Sequence, residues 1–137
     1  MNKKTILIAD YDRDLCQTLA LRCRRHEIES IIANDGTTAI RLAESLAPAL
    51  ICLDVDMLGG NGLAVCEVLQ VQELFADTPF VIITGCDDIE TVARCKRRGA
   101  KYVPKFGPIW SRIDSIILDL LKVRESKSKL NSPAHGL

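Results

Sequence analysis

Five times along this 137-residue chain a short run of consecutive apolar side chains is followed by a longer stretch with apolar residues at helical spacing. Strands covered on both faces must be apolar at successive positions, whereas a covering helix is apolar on one side only, so this rhythm specifies βα units and a parallel sheet. The strand candidates are residues 5–9, 28–33, 50–53, 80–83 and 102–103, the second and fifth having the weaker pattern. Helices are expected over residues 13–25 after the capping Asp12, over 37–46 until Pro48 forbids continuation, after Asn61-Gly62, from Asp87-Asp88 to Gly99, and over 111–123.

Composition narrows the class. With 47% hydrophobic residues the chain can bury one core, and the expected organisation is a single domain over residues 1–124, followed by a flexible tail or linker start over 125–137, where Ser, Lys, Asn, Pro and Gly replace the apolar pattern. Eighteen basic and eighteen acidic side chains cancel, so no net field draws nucleic acid or an anionic membrane. The longest apolar run is far short of the roughly 20 residues a spanning helix needs, and Asp10 and Asp12 interrupt any signal-peptide core, so a cytoplasmic location is expected. Cys16, Cys23, Cys52, Cys66, Cys86 and Cys95 form no C-x-x-C pair, and His26 and His135 lie apart, which points to reduced core thiols rather than zinc.

Chemistry in an open α/β sheet gathers outside the carboxyl ends of the strands. There stand Asp10 after the first strand, Asp54 after the third, Thr84 at the end of the fourth and Lys105 just past the fifth. Singly these are an ordinary cap, turn former, strand residue and solvated lysine; jointly they are two carboxylates, a hydroxyl and an ammonium on one sheet edge.

These residues resemble the receiver domains of two-component response regulators. The similarity covers about residues 4–124 and is most specific at Asp54-Val55-Asp56-Met57-Leu58-Gly59-Gly60-Asn61-Gly62. Further matches are Ile6-Leu7-Ile8-Ala9-Asp10, Asn34-Asp35-Gly36, Val81-Ile82-Ile83-Thr84-Gly85 and Gly99-Ala100-Lys101-Tyr102-Val103-Pro104-Lys105. The resemblance implies a flavodoxin-like, doubly wound α/β fold with five parallel strands in the order 2-1-3-4-5. It implies a signalling phosphoacceptor rather than an enzyme acting on a separate substrate, with Asp54 receiving a phosphoryl group from a phosphohistidine and the chain catalysing its own transfer and dephosphorylation. Asp10, Asp54 and the backbone carbonyl of Asp56 would hold Mg²⁺, Lys105 would pair with the phosphoryl group, Thr84 would donate a hydrogen bond to it, and Gly85 would keep the approach open. Tyr102 would follow Thr84 as a switch, altering a face made by the fourth helix, fifth strand and fifth helix. Implied partners are a sensor histidine kinase or phosphotransfer protein and a downstream protein, with neither nucleic acid nor membrane bound directly, and the chain a monomer or phosphorylation-dependent dimer.

Three positions depart from that pattern. Tyr11 stands where a second acid adjoins Asp10, so either Asp12 reaches in, or the metal is held more weakly by Asp10, Asp54 and water, or the site no longer binds it. Leu58 replaces a common Pro, and Phe106 replaces the Pro after Lys105, which removes the expectation of a cis bond there. Phe106 and Trp110 are candidate partner anchors or core residues, and Arg94, Lys96, Arg97 and Arg98 form a basic run read as a solvated face. Two alternatives stay open. One is a pseudo-receiver that signals by contacts without phosphorylation, supported by Tyr11 and Phe106. The other is a haloacid-dehalogenase-type phosphatase built on Asp54-Val55-Asp56, Thr84 and Lys105, in which Asp114 and Asp119 would have to supply the acidic pair.

Overall fold

Aliphatic runs that leave no room for polar contacts form the middle of the sheet. In the computed structural model, which describes the backbone of residues 4–57 and 60–130 and side chains over 4–57 and 61–119, strand β1 (Lys4–Ala9) lies between β2 (Ile28–Ala33) and β3 (Leu50–Leu53). Strands β6 (Phe80–Thr84) and β7 (Lys101–Pro104) complete a five-stranded parallel sheet in the order β2-β1-β3-β6-β7. This is the expected flavodoxin-like order, with two short segments, β4 (Asp56–Met57) and β5 (Gly60–Asn61), paired as a separate antiparallel ribbon. Ile6 to Ala9, Leu50 to Leu53 and Phe80 to Thr84 are buried throughout, whereas the edge strands β2 and β7 are only partly covered.

The chain divides into the units Met1–Gly107 and Pro108–Leu137. In the first unit, alternate strand residues serve opposite faces. Leu7, Ala9, Ile51, Leu53 and Ile82 join Ala39 and Ala43 of α2 (Gly36–Leu46), Leu63, Cys66 and Leu69 of α3 (Gly62–Gln70) and Cys95 of α4 (Ile89–Arg97) in one core. On the other face α1 (Arg13–Arg25) buries Leu15, Cys16, Leu19 and Cys23.

Helix starts follow the expected polar signals. Asp12 accepts from the Leu15 N–H at 3.1 Å, Asp35 from Thr38 at 2.8 Å, Asn61 from Leu63 at 2.7 Å and Asp88 from Thr91 at 2.7 Å. Each cap satisfies a backbone donor that the first turn cannot. Helix α4 stops at Arg97, and Gly99 turns with φ 68 while Ala100 N–H donates back to the Cys95 carbonyl. Ile89, at the first position of this helix, is 89% exposed. Five of the six cysteines are buried as expected; Cys86 is the half-exposed exception.

The second unit holds α5 (Ile109–Leu130), in which Ile113 and Ile117 are buried. It runs past the expected end at residue 123, because residues 124–130 contain no Pro or Gly and are mostly Arg, Glu, Lys and Leu, good helix formers that carry no apolar stripe. The remainder of the expected tail, residues 131–137, and Leu58 lie outside the described residues. Among the described residues no helix is long and apolar enough to cross a membrane.

Candidate functional site

Each of the four sequence-selected side chains sits at a strand's carboxyl end, and three of them meet. The Asp54 N–H donates to the Ala9 carbonyl at 2.9 Å, which fixes the β3 exit beside that of β1, and the Lys105 N–H donates to the Thr84 carbonyl at 2.9 Å, which does the same for β7 and β6. From these positions the Lys105 ammonium lies 2.9 Å from Asp54 Oδ2 and 3.0 Å from Asp10 Oδ2. Asp10 and Asp54 are 2% and 4% exposed.

Two carboxylates this close and this dry would repel one another without the cation between them. Asp10 Oδ1 also accepts from the Asp12 N–H at 2.8 Å, and Asp54 Oδ1 from the Asp56 N–H at 3.3 Å. Burial is the dominant influence on Asp10 and, with the Asp54 charge, raises its pKa to about 6 against the opposing pull of the Asp12 N–H and Lys105. Lys105 is half-buried, which works against its charge, but hydrogen bonds to Asp54 and Asp10 prevail and its pKa is raised.

Thr84 is fully buried, and its hydroxyl oxygen accepts from the Cys86 N–H at 3.1 Å. Tyr102 donates its hydroxyl to the Cys86 carbonyl at 3.2 Å, so one residue joins the two expected switch side chains through its backbone. The Cys86 thiol in turn donates to Asp88, the cap of α4. Nothing in the sequence marked Cys86 for this position beyond its place two residues after Thr84.

Gly62 ends the motif that begins at Asp54, but its packing role was not legible from pattern alone. A Cβ there would lie 2.0 Å from the Asp54 carbonyl oxygen, so only glycine lets the start of α3 close against the backbone that carries Asp54.

Two of the departures, Tyr11 and Phe106, have definite places. Tyr11 is 62% exposed. Asp12, a candidate third acid, spends its Oδ1 capping α1, and among the described residues no group of three or more His, Cys, Asp or Glu side chains converges as a metal cluster. The hard oxygen donors that this site brings together around Lys105 are the two buried carboxylates Asp10 and Asp54. Hard oxygen donors of this number suit Mg²⁺, which commonly keeps several waters and takes one or two carboxylates. Receiver domains generally bind Mg²⁺ at the phosphorylation site. Phe106 is 53% exposed and Trp110 half-buried, and no described peptide bond is cis. The basic run is largely paired rather than free: Arg94 lies 2.8 Å and Arg98 3.5 Å from Glu67, and Arg97 lies 3.0 Å from Glu90. Asp114 and Asp119 lie inside α5, in the other unit from Asp54.

Comparison with known proteins agrees with this geometry. The family model for the response regulator receiver domain matches residues 6–106. The chain is 29% identical over 104 residues to the DNA-binding response regulator MtrA of Mycolicibacterium paratuberculosis, covering 75% of this chain and 45% of that protein. It is 35% identical over 88 residues to the alkaline phosphatase synthesis transcriptional regulatory protein PhoP of Bacillus subtilis, covering 64% of this chain and 35% of that one. It thus spans under half the length of these relatives. Among solved structures, the receiver domain of the Francisella response regulator 1452 superposes with a TM-score of 0.75 at 23% identity, covering 91% of this chain and 99% of that one. The chemotaxis response regulator CheY4 of Vibrio cholerae gives 0.76 at 21% identity, covering 87% and 99%. With its strand order and family match in agreement, the chain belongs to the response regulator receiver domain family.

Proposed function

We propose that Asp54 takes a phosphoryl group from a phosphohistidine of a sensor kinase or phosphotransfer protein, and that the aspartyl phosphate changes the surface offered to a downstream protein. The observation that supports this reading is the Lys105 ammonium held against both buried carboxylates. In the transfer an Asp54 carboxylate oxygen forms the new P–O bond as the P–N bond breaks, its electron pair leaving on the imidazole nitrogen. Such reactions depend on positioning and on charge placed where the phosphoryl oxygens arrive. Lys105 supplies one positive charge. The Thr84 hydroxyl, whose oxygen already accepts from Cys86, keeps its proton to donate. Asp10, Asp54 and the Asp56 carbonyl would hold Mg²⁺, which when bound supplies further charge against the phosphoryl oxygens. Tyr11 in place of an acid leaves that ion more weakly held. Release of phosphate from Asp54 would use the same groups, so the chain would time its own signal.

Movement of Thr84 would reach Tyr102 through Cys86 and so reach α4 and β7; the share of the output face assigned to α5 from sequence belongs to the other unit. The pseudo-receiver reading has one observation in its favour, the exposed Tyr11 with Asp12 committed to its cap. The two separate in one experiment: intact-mass spectrometry after incubation with acetyl phosphate, with and without Mg²⁺, beside Asp54→Asn. A single Mg²⁺-dependent phosphoryl adduct missing from the variant is expected. No adduct at any Mg²⁺ or Mn²⁺ concentration rejects phosphorylation and leaves the pseudo-receiver.

A further inference from the structure

Among the described residues strand β2 ends the sheet and pairs with β1 alone. The Asp10 N–H donates to the Ala33 carbonyl at 3.2 Å, which fixes the direction of every backbone group along the strand. Successive residues turn their N–H and C=O to opposite edges. Glu29, Ile31 and Ala33 therefore serve β1, and Ile28, Ser30 and Ile32 present theirs outward. Among the described residues no backbone partner meets those three.

Beside this edge runs a groove of about 490 Å³, walled by Ala20 and Arg24 of α1 and floored by Ser30 and Ile32. The Ser30 hydroxyl oxygen is buried with no hydrogen-bond partner. Ile32 is 40% exposed, and Leu21, on the Arg24 side of α1 by its i,i+3 spacing, is 59% exposed. The strand reads IESIIA, with one charge and no Lys or Pro, and so lacks the usual devices that keep an edge from pairing.

We propose that β2 is a self-association edge, on which the β2 of a second copy of this chain adds antiparallel about a two-fold axis through Ser30. A two-fold normal to the sheet keeps each face with itself, so opposed residues must share a face. Centring on Ser30 places Ile28 opposite Ile32 of the second copy and Ser30 opposite Ser30. All three outward-facing residues of each strand then form hydrogen-bonded pairs, and the two Ser30 residues stand opposite each other. Glu29 falls opposite Ile31 rather than another acid, and a chain of zero formal net charge meets no overall repulsion from its copy. The result is a continuous ten-stranded sheet, formed at the edge farthest from β7 and independent of phosphorylation at Asp54.

Sedimentation equilibrium of the 137-residue chain and of Asp54→Asn should give the same concentration-dependent monomer–dimer curve. Ile32→Lys, at an exposed position, should remain folded by circular dichroism and sediment as a monomer. Ser30→Cys should form a covalent dimer on oxidation or with a short bifunctional thiol reagent, mapped to residue 30 of both chains, while Ile32→Cys, which faces residue 28, should not link to itself. A chain that stays monomeric at every concentration overturns the proposal, as does a dimer that survives Ile32→Lys or that links equally well through position 32.

Discussion

Lys105 Nζ stands 2.9 Å from Asp54 Oδ2, on an oxygen of the one side chain proposed to accept phosphate. The ammonium therefore both holds the resting site together and occupies ground that an incoming anion would claim.

Removing that cation exposes what it offsets. Lys105→Met should cost about 3 kcal/mol at neutral pH, the scale for breaking a buried ion pair by deleting one partner. The loss should shrink as pH falls and Asp10 takes a proton, which ends its repulsion with Asp54. Urea unfolding at pH 8 and pH 5 measures both; an equal loss at the two values would refute the account.

Asp10 itself opposes folding in its charged form. Its folded-state pKa is about 6 against 3.8, so between these values the folded chain binds more protons than the unfolded one and stability falls as pH rises. The penalty is complete above the folded value and amounts to about 2–3 kcal/mol at roughly 1.4 kcal/mol per unit. Asp10→Asn should therefore stabilise the chain at pH 7.5 and flatten the decline between pH 4 and 7, as followed by thermal melts across that range.

Gly62→Ala should be far worse than its size suggests. The added methyl would meet the Asp54 carbonyl, and the backbone must give way at a cost of about 3 kcal/mol, the upper end for an overpacked core. Because that backbone carries Asp54, the variant should also lose phosphoryl adduct under conditions where it is still folded, as read by intact mass at low temperature.

Tyr11→Asp should return a third carboxylate beside Asp10 and Asp54. Isothermal titration with Mg²⁺ should show at least about tenfold tighter binding than the parent chain, since each added hard anionic oxygen favours this ion. Unchanged affinity would mean that position 11 does not face the cation.

Much of this was legible in the sequence because the controlling forces are local. The strands β1, β3 and β6 each carry a run of at least four consecutive apolar residues, and the caps at Asp12, Asp35 and Asp88 act within three residues. The convergence of Asp10, Asp54 and Lys105 followed from their places at strand ends. The missed parts depend on other things. The β4–β5 ribbon and the turn at Glu73–Phe75 are two or three residues each, too short to show a period. The extension of α5 rests on backbone propensity without an apolar stripe, and Asp12 offered two roles, cap and ligand, between which only its contact with Leu15 distinguishes. The links from Cys86 to Thr84 and Tyr102 run through its backbone, which every residue type possesses.

Glu67 has a mechanical consequence for α4. Its carboxylate grips Arg94 and Arg98, and Gln70 donates to the Arg98 carbonyl at 2.8 Å, so the C-terminal half of α4 is moored to α3. The other end is held by its Asp88 cap, which accepts from the Thr91 N–H and the Cys86 thiol, and among the described residues no ion pair ties it to α3. The helix is thus a lever with its fulcrum near Arg98 and its free arm at Ile89, and a push on the Thr84 loop should swing that arm the most. Amide exchange should accordingly quicken at Thr91 and Val92 before Arg97 when the loop is perturbed, and uniform quickening along the helix would show that there is no fulcrum.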